Sequence, residues 1–288
     1  MKQARMKPLV MVCIFLILVL ILYLIVKTSR YESFTNQPNK FKLVVTTYNP
    51  GNYLQECLES IAMQQYKNYD VCIVEDKSTE NVDMIHNTIK YFCNKYDWKY
   101  IIHTENTGPL KSRIDAIDKL DCKDNDIIVL IDGDDKLSCK NVLDILNKYY
   151  QEDIYATFGS FMSRYGNKIG KQLNIFKCNK NFSKIAKDRL IRQNFYYSHL
   201  KTFKYYLYKH IDHEKSFKRN GEYYRAATDI ALMFPILELA GTKFKCVPEI
   251  LYHYTQDHPE SFHNVGKRQQ QRLNYQYMKQ LEKYNAIV

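Results

Sequence analysis

The stretch that most constrains this chain is Ile127-Ile128-Val129-Leu130-Ile131, which runs straight into Asp132-Gly133-Asp134-Asp135. Consecutive apolar, mostly β-branched residues suit a strand covered on both faces, as in a parallel sheet packed between helices. The run then stops in three carboxylates on a turn opened by Gly133. Open α/β sheets bind ligands at the carboxyl ends of their strands, where clustered carboxylates offer oxygen ligands to a divalent cation carrying a diphosphate. Asp-Gly is also an ordinary turn dipeptide, so the surroundings decide.

Those surroundings alternate strand and helix. Lys42–Thr47 reads as a buried strand broken by Tyr48-Asn49-Pro50-Gly51, after which Leu54, Cys57, Leu58 and Ile61 recur on one helical face. Tyr69–Val74 reads as a second strand ending in Glu75-Asp76-Lys77-Ser78, followed by a helix over Asn81–Tyr96 and a strand at Lys99–His103. Asn106-Thr107-Gly108 makes the next turn, and Pro109 suits the first position of a helix reaching Leu120. The pattern predicts an α/β domain built on a mainly parallel sheet of nucleotide-binding type. Further on, it predicts a helix over Ser138–Tyr150, a strand at Ile154–Phe161 and a mobile loop over the aperiodic, basic Ser163–Lys184. Phe195–His210, aromatic and basic, reads as a helix whose Tyr and Lys side chains could meet a sugar or pack into the core. Thr228–Ala240 is apolar all round and reads as a buried helix, bent at Pro235 and capped by Gly241, with Asp229 in its first turn. A strand over Lys243–Tyr254 and a basic tail helix over Gly266–Tyr284 complete the chain.

The first 40 residues have a different character. Residues 1–8 are basic, and residues 9–26 are uncharged and overwhelmingly apolar, long enough as a helix (about 27 Å) to cross a bilayer core. No small-residue cleavage pattern follows, so an uncleaved transmembrane signal-anchor is expected, with residues 27–40 as a polar stalk. The flanking charge leans toward a cytoplasmic N-terminus: a type II, single-pass membrane protein whose domain lies on the ER/Golgi lumenal or extracytoplasmic side. The sequon Asn181-Phe182-Ser183 is compatible with that side. Residues 41–288 then form the domain: a nucleotide-binding half (41–135), an acceptor-side half (136–265) and the tail helix (266–288).

Composition excludes less. A net charge of +11 and a pI near 9.1 suit a phosphate-bearing partner. The basic residues are interleaved with Tyr and Asn, without helix-turn-helix, RNP or zinc-finger patterns, which argues against nucleic acid. The eight cysteines lack CxxC pairs and framework spacing; most read as small buried hydrophobes and leave the redox compartment open.

Five short elements in order resemble a family 2 glycosyltransferase of the GT-A (Rossmann-like) fold, over roughly Lys42 to Ser261. Val44-Val45-Thr46-Thr47-Tyr48-Asn49 resembles the family's opening strand and Tyr-Asn turn, and Glu75-Asp76-Lys77-Ser78 stands where it has Asp-Asp-Gly-Ser. Asn106-Thr107-Gly108 with Arg113 resembles its Asn-x-Gly…Arg element. Asp132-Gly133-Asp134 resembles its Asp-x-Asp signature. Thr228-Asp229 stands where it has Glu-Asp and its catalytic base.

The resemblance implies transfer of a sugar, with inversion, from a nucleotide-sugar, by preference a UDP-sugar, to an acceptor hydroxyl. Asp132 and Asp134, completed by His258 or its rival His253, would hold Mn²⁺ or Mg²⁺. Asp76 would meet the nucleobase beside Thr47 and Tyr48, while Asn49, Asn106, Gly108, Arg113 and Asp132 complete the donor site. Asp229 would be the general base. The acceptor could be a glycan, a protein or a lipid-linked molecule. Two rivals remain: a sugar nucleotidyltransferase, although Tyr48-Asn49-Pro50-Gly51 offers a single glycine where that class has a Gly-rich loop, and a catalytically silent binding or scaffold protein of the same fold.

Overall fold

The computed structural model describes residues 16–21, 23, 38–165, 168–173, 178–256 and 265–288. Residues 39–288 pack as one compact unit. Its first half follows the expected alternation: β1 (Phe41–Thr47), α1 (Tyr53–Ala62), β2 (Tyr69–Glu75), α2 (Val82–Tyr96), β3 (Lys99–Ile102), α3 (Pro109–Lys119) and β4 (Ile127–Asp132). The short β5 (Lys136–Leu137), α4 (Val142–Tyr150), β6 (Ala156–Tyr165), β7 (Lys168–Leu173) and α5 (Phe182–Lys187) follow, with a 3₁₀ turn at Ile191–Gln193. Then come β8 (Ser198–Lys204), α6 (Tyr205–Tyr208), α7 (His213–Phe217), the ribbon β9 (Lys218–Arg219) and β10 (Glu222–Tyr223), α8 (Thr228–Ala240), β11 (Phe244–Thr255) and α9 (Val265–Gln280).

The main sheet has the order β3-β2-β1-β4-β8-β6-β11-β5, with β7 hydrogen-bonded to β6. From β3 to β4 every pairing is parallel. β8 then enters antiparallel between β4 and β6, making the sheet mixed. Alternation along β1 explains the burial: Phe41, Leu43 and Val45 face a core with α1 and α2, while Val44 faces the core of α3 and α8. The register sets Thr46 opposite Asp132 and Thr47 opposite Glu75, so three strands end together at one edge.

Three expectations need correction. Within Phe195–His210, Ser198–Lys204 is strand and only Tyr205–Tyr208 is helical: the Thr and aromatic residues of the strand fit a pleated surface, and the gap between β4 and β6 supplies hydrogen-bond partners on both sides. Ser163–Lys184 holds the end of β6, the paired β7 and the start of α5, because β7 finds a ladder along β6; residues 166–167 and 174–177 lie outside the described residues. Cys178 and Cys246 form a disulfide with Cα atoms 5.2 Å apart, a pairing that needs the fold to bring together residues 68 positions apart. Cys57, Cys72 and Cys93 are buried thiols, as expected.

α8 runs through Pro235 and stops at Gly241, whose φ of 58° favours glycine. Most of the apolar run 9–26 lies outside the described residues, as do Cys13 and His258. Among the described residues no helix is long and apolar enough to cross a membrane.

Candidate active site

The edge where β1, β2 and β4 end forms the floor of a cavity of about 600 Å³. Two backbone bonds extend the ladder beyond the strands: Gly133 N–H donates to Thr46 O (2.8 Å) and Asp76 N–H donates to Thr47 O (2.9 Å). Gly133 is required by proximity, since a Cβ there would lie 2.6 Å from Thr47 Cβ. The acidic turn therefore rests directly on the end of β1.

Thr47, Tyr48, Asp76, Asn106, Gly108, Arg113, Asp132, Asp134 and Asp229 all line this cavity. Asn49 does not: its Oδ1 accepts from the N–H groups of Thr79 (2.7 Å) and Glu80 (3.1 Å), so it staples the β1 turn to the loop after β2. Asp76 holds the opposite wall. Its Oδ1 accepts from Thr107 N–H (2.8 Å) and Thr107 Oγ1 (3.0 Å) and lies 2.9 Å from His103 Nδ1. Its Oδ2 accepts from Gly108 N–H (2.8 Å), which leaves that oxygen a second lone pair. Gly108, at φ 88°, opens α3 ahead of Pro109, and Arg225 packs against it with Cγ 3.3 Å from where a Cβ would sit.

Arg113 links the two halves of the site. From α3 it donates Nη2 to Asp132 Oδ1 (2.7 Å) and Nη1 to Thr228 Oγ1 (3.1 Å), at the start of α8. Asp229, the next residue, places its carboxylate in the cavity, with Oδ1 accepting from Ile230 N–H (3.0 Å) and Oδ2 3.5 Å from Lys201 Nζ. Burial alone would raise the Asp132 carboxyl, but the Arg113 guanidinium, with the Lys201 ammonium, holds it down at about 2.

Behind the turn, Asp135 is fully buried. Its Oδ1 accepts from Thr255 N–H (2.7 Å), and Oδ2 has no hydrogen-bond partner. Burial and the neighbouring Asp134 and Asp132 push its carboxyl well above the usual range. Ligand atoms of Asp132, Asp135 and His199 lie within 4.8 Å of one another. Burial, then the Lys201 ammonium, holds the His199 imidazole down at about 3, so its ring is neutral near pH 7. His253, the rival to His258, is on β11 in register with Lys136 and Met162 and does not line the cavity.

His199, Lys201, Arg225, Tyr254 and the glutamines Gln270 and Gln271 of α9 also line the cavity, and sequence reasoning had singled out none of them as site residues. His199 and Lys201 carried a usable signal: two apart in a Thr- and aromatic-rich run, they share one face of a strand but diverge on a helix.

The fold is thus a mixed α/β sheet with an acidic turn at its parallel edge and, lining the same cavity, a carboxylate at the start of a buried helix. The profile described as Glycosyl transferase family 2 matches residues 42–214, and the chain belongs to that family. The glycosyltransferase GlyG of Streptococcus pneumoniae is 30% identical over 120 residues, 41% of this chain and 38% of that protein. An N-acetylglucosaminyltransferase of Bradyrhizobium elkanii is 28% identical over 122 residues, 42% of this chain and 65% of that protein. The match thus spans well under half of the pneumococcal relative. Staphylococcus aureus TarS (residues 1–349) in complex with UDP-GlcNAc superposes with a TM-score of 0.54 at 21% identity, covering 77% of this chain and 60% of that TarS fragment. The mannosyltransferase PcManGT of Pyrobaculum calidifontis, in complex with GDP-Man and Mn²⁺, gives 0.54 at 14% identity over 90% of this chain and 73% of its own. At these identities the two structures attest the fold.

Proposed function

We propose that this protein is a glycosyltransferase that moves a sugar from a UDP-sugar to an acceptor hydroxyl with inversion at the anomeric carbon. One observation carries the reading: the Asp229 carboxylate shares a cavity with the Asp132–Asp134 turn, and Arg113 ties the two sides together. Asp229 takes the acceptor hydroxyl's proton, the acceptor oxygen forms the bond to the anomeric carbon, and the bond to the diphosphate breaks with its electron pair leaving on phosphate oxygen. Asp76 Oδ2, with one lone pair left, accepts from a nucleobase N–H beside Thr47 and Tyr48.

Clustered carboxylates, a buried Asp135 oxygen lacking a partner and a neutral imidazole suit a divalent cation. Asp132 and Asp134 would hold Mn²⁺ or Mg²⁺, with Asp135 and His199 beside them. When bound, the cation neutralises charge on the departing diphosphate. Solved relatives in the same fold that carry UDP-GlcNAc, or GDP-Man with Mn²⁺, support the choice of donor and metal.

The domain's location belongs to the same proposal. An N-terminal signal-anchor with the domain on the extracytoplasmic or lumenal side agrees with the Cys178–Cys246 disulfide, since such bonds persist in oxidising compartments.

The test is Mn²⁺-dependent release of nucleoside diphosphate from a panel of UDP-GlcNAc, UDP-glucose, UDP-galactose and GDP-mannose. Asp134→Ala and Asp229→Asn should each lower the rate by about 10²–10⁴-fold. A wild-type rate in D134A would sink the metal assignment. A wild-type protein inactive on every donor would favour the silent scaffold.

A further inference from the structure

Lys201 is a buried ionisable side chain that the chemistry above leaves without a task. It projects from the middle of β8 with its side chain 3% exposed. Its Nζ lies 3.5 Å from Asp229 Oδ2 and within 3.5 Å of both ring nitrogens of His199. Hydrophobic residues of similar size often replace buried ion pairs without loss of stability. A lysine held in the cavity wall against one carboxylate is thus a poor choice for packing alone.

The geometry points to Lys201 as a positioning residue for Asp229, an assignment that rests on Asp229 being the general base. The Asp229 carboxylate is held at both ends, Oδ1 by the Ile230 N–H at 3.0 Å and Oδ2 by the Lys201 ammonium. Those two contacts bias the carboxylate toward one orientation in the cavity wall. Arg113 does the same for the preceding residue through Thr228 Oγ1. The start of α8 is therefore registered against the acidic turn by two cations from two different elements.

Lys201 has a second effect in the transfer step. The acceptor O–H proton passes to Asp229, the new C–O bond forms, and the old bond's electron pair leaves on the diphosphate. Asp229 becomes neutral as a negative charge appears on the other side of the cavity. The lysine's charge, balanced by Asp229 beforehand, then acts on the departing diphosphate at the moment it forms. Preorganised charge of this kind stabilises the transition state more than the bound donor.

The test uses the full-length chain and the panel donor that the wild type hydrolyses fastest, with Mn²⁺ and with water as acceptor. Lys201→Ala should lower kcat by about a hundredfold, leave KM and UDP affinity by calorimetry close to wild type, and recover rate saturably with added methylamine. Methylamine should do nothing for Asp229→Asn or for the double variant. If D229N turns over at the wild-type rate, the general-base reading fails, and the role of Lys201 with it. If D229N is inactive, the base reading stands. Lys201 is then overturned by a wild-type kcat in K201A, by a K201A defect that methylamine leaves untouched, or by rescue that persists in the double variant.

Discussion

At the scale of single residues, Gly133 shows how tightly the acidic turn is built. Any side chain would meet Thr47 Cβ and Oγ1 at 2.6 Å, and Thr46 O lies 3.2 Å away. Thr47 cannot retreat easily, because it is buried and its carbonyl accepts from Asp76 N–H. Gly133→Ala should therefore displace the turn, costing about 1–3 kcal/mol of stability and most of the metal-dependent donor hydrolysis. Urea unfolding and the diphosphate-release assay measure the two effects separately. Asp76 and Asn49 carry a related lesson: both were read as donor contacts, yet Asn49 serves a loop and three of the Asp76 hydrogen bonds organise the Thr107–Gly108 turn.

At the scale of elements, two ion pairs set how the pieces meet. Glu56 of α1 accepts from Arg164 Nη1 of β6 (2.6 Å) and from Lys136 Nζ of β5 (2.8 Å). Arg164 is fully buried and also donates Nε to Thr255 Oγ1 (2.8 Å), so it braces β11 behind the acidic turn. Burial would raise the Glu56 carboxyl, but Lys136 and Arg164 together bring it below its usual value. A depressed carboxylate adds stability that is fully present above the unfolded value of about 4.3 and is lost as pH falls through the lower folded value. Glu56→Gln should destabilise the protein by about 1–3 kcal/mol at pH 7, and its gap to the wild type should close as urea midpoints are followed below about pH 4.

The second pair docks the last helix. Arg192 makes a bidentate contact with Glu238 of α8 (2.7 Å at both oxygens) and donates Nη1 to Met278 O (2.7 Å) and Leu281 O (3.0 Å). A guanidinium thus satisfies carbonyls that a helix C-terminus leaves free, and α9 is held with Gln270 and Gln271 at the cavity. Arg192→Met should cost about 3–5 kcal/mol by leaving the Glu238 carboxylate buried without its cation, held among the described residues by the Tyr284 N–H alone. Pairing it with Glu238→Leu should recover part of that loss in a double-mutant cycle.

At the scale of the whole molecule, the disulfide joins the segment before α5 to β11 across a separation of 68 residues. Closing a loop of that length is worth about 2–4 kcal/mol through the unfolded chain. The Cys178→Ser/Cys246→Ser variant should unfold at a lower temperature by that equivalent, and reductant should shift the wild type toward it while leaving the variant unmoved. No such shift with reductant would mean that the two thiols are not joined in the protein.

The sequence alone determined the parallel half of the sheet, because apolar strands, turn residues and helical faces there all follow local rules. It also determined the acidic turn, Arg113 and Asp229, since strand ends and a helix start were marked by their own residues. Only the tertiary structure decided that Ser198–Lys204 is strand, because the slot between β4 and β6 outweighs the local pattern. That choice carries His199 and Lys201 into the site on one face. Pairing of Cys178 with Cys246, and of Arg192 with Glu238, is likewise decided by the fold, for neither depends on anything near it in the chain.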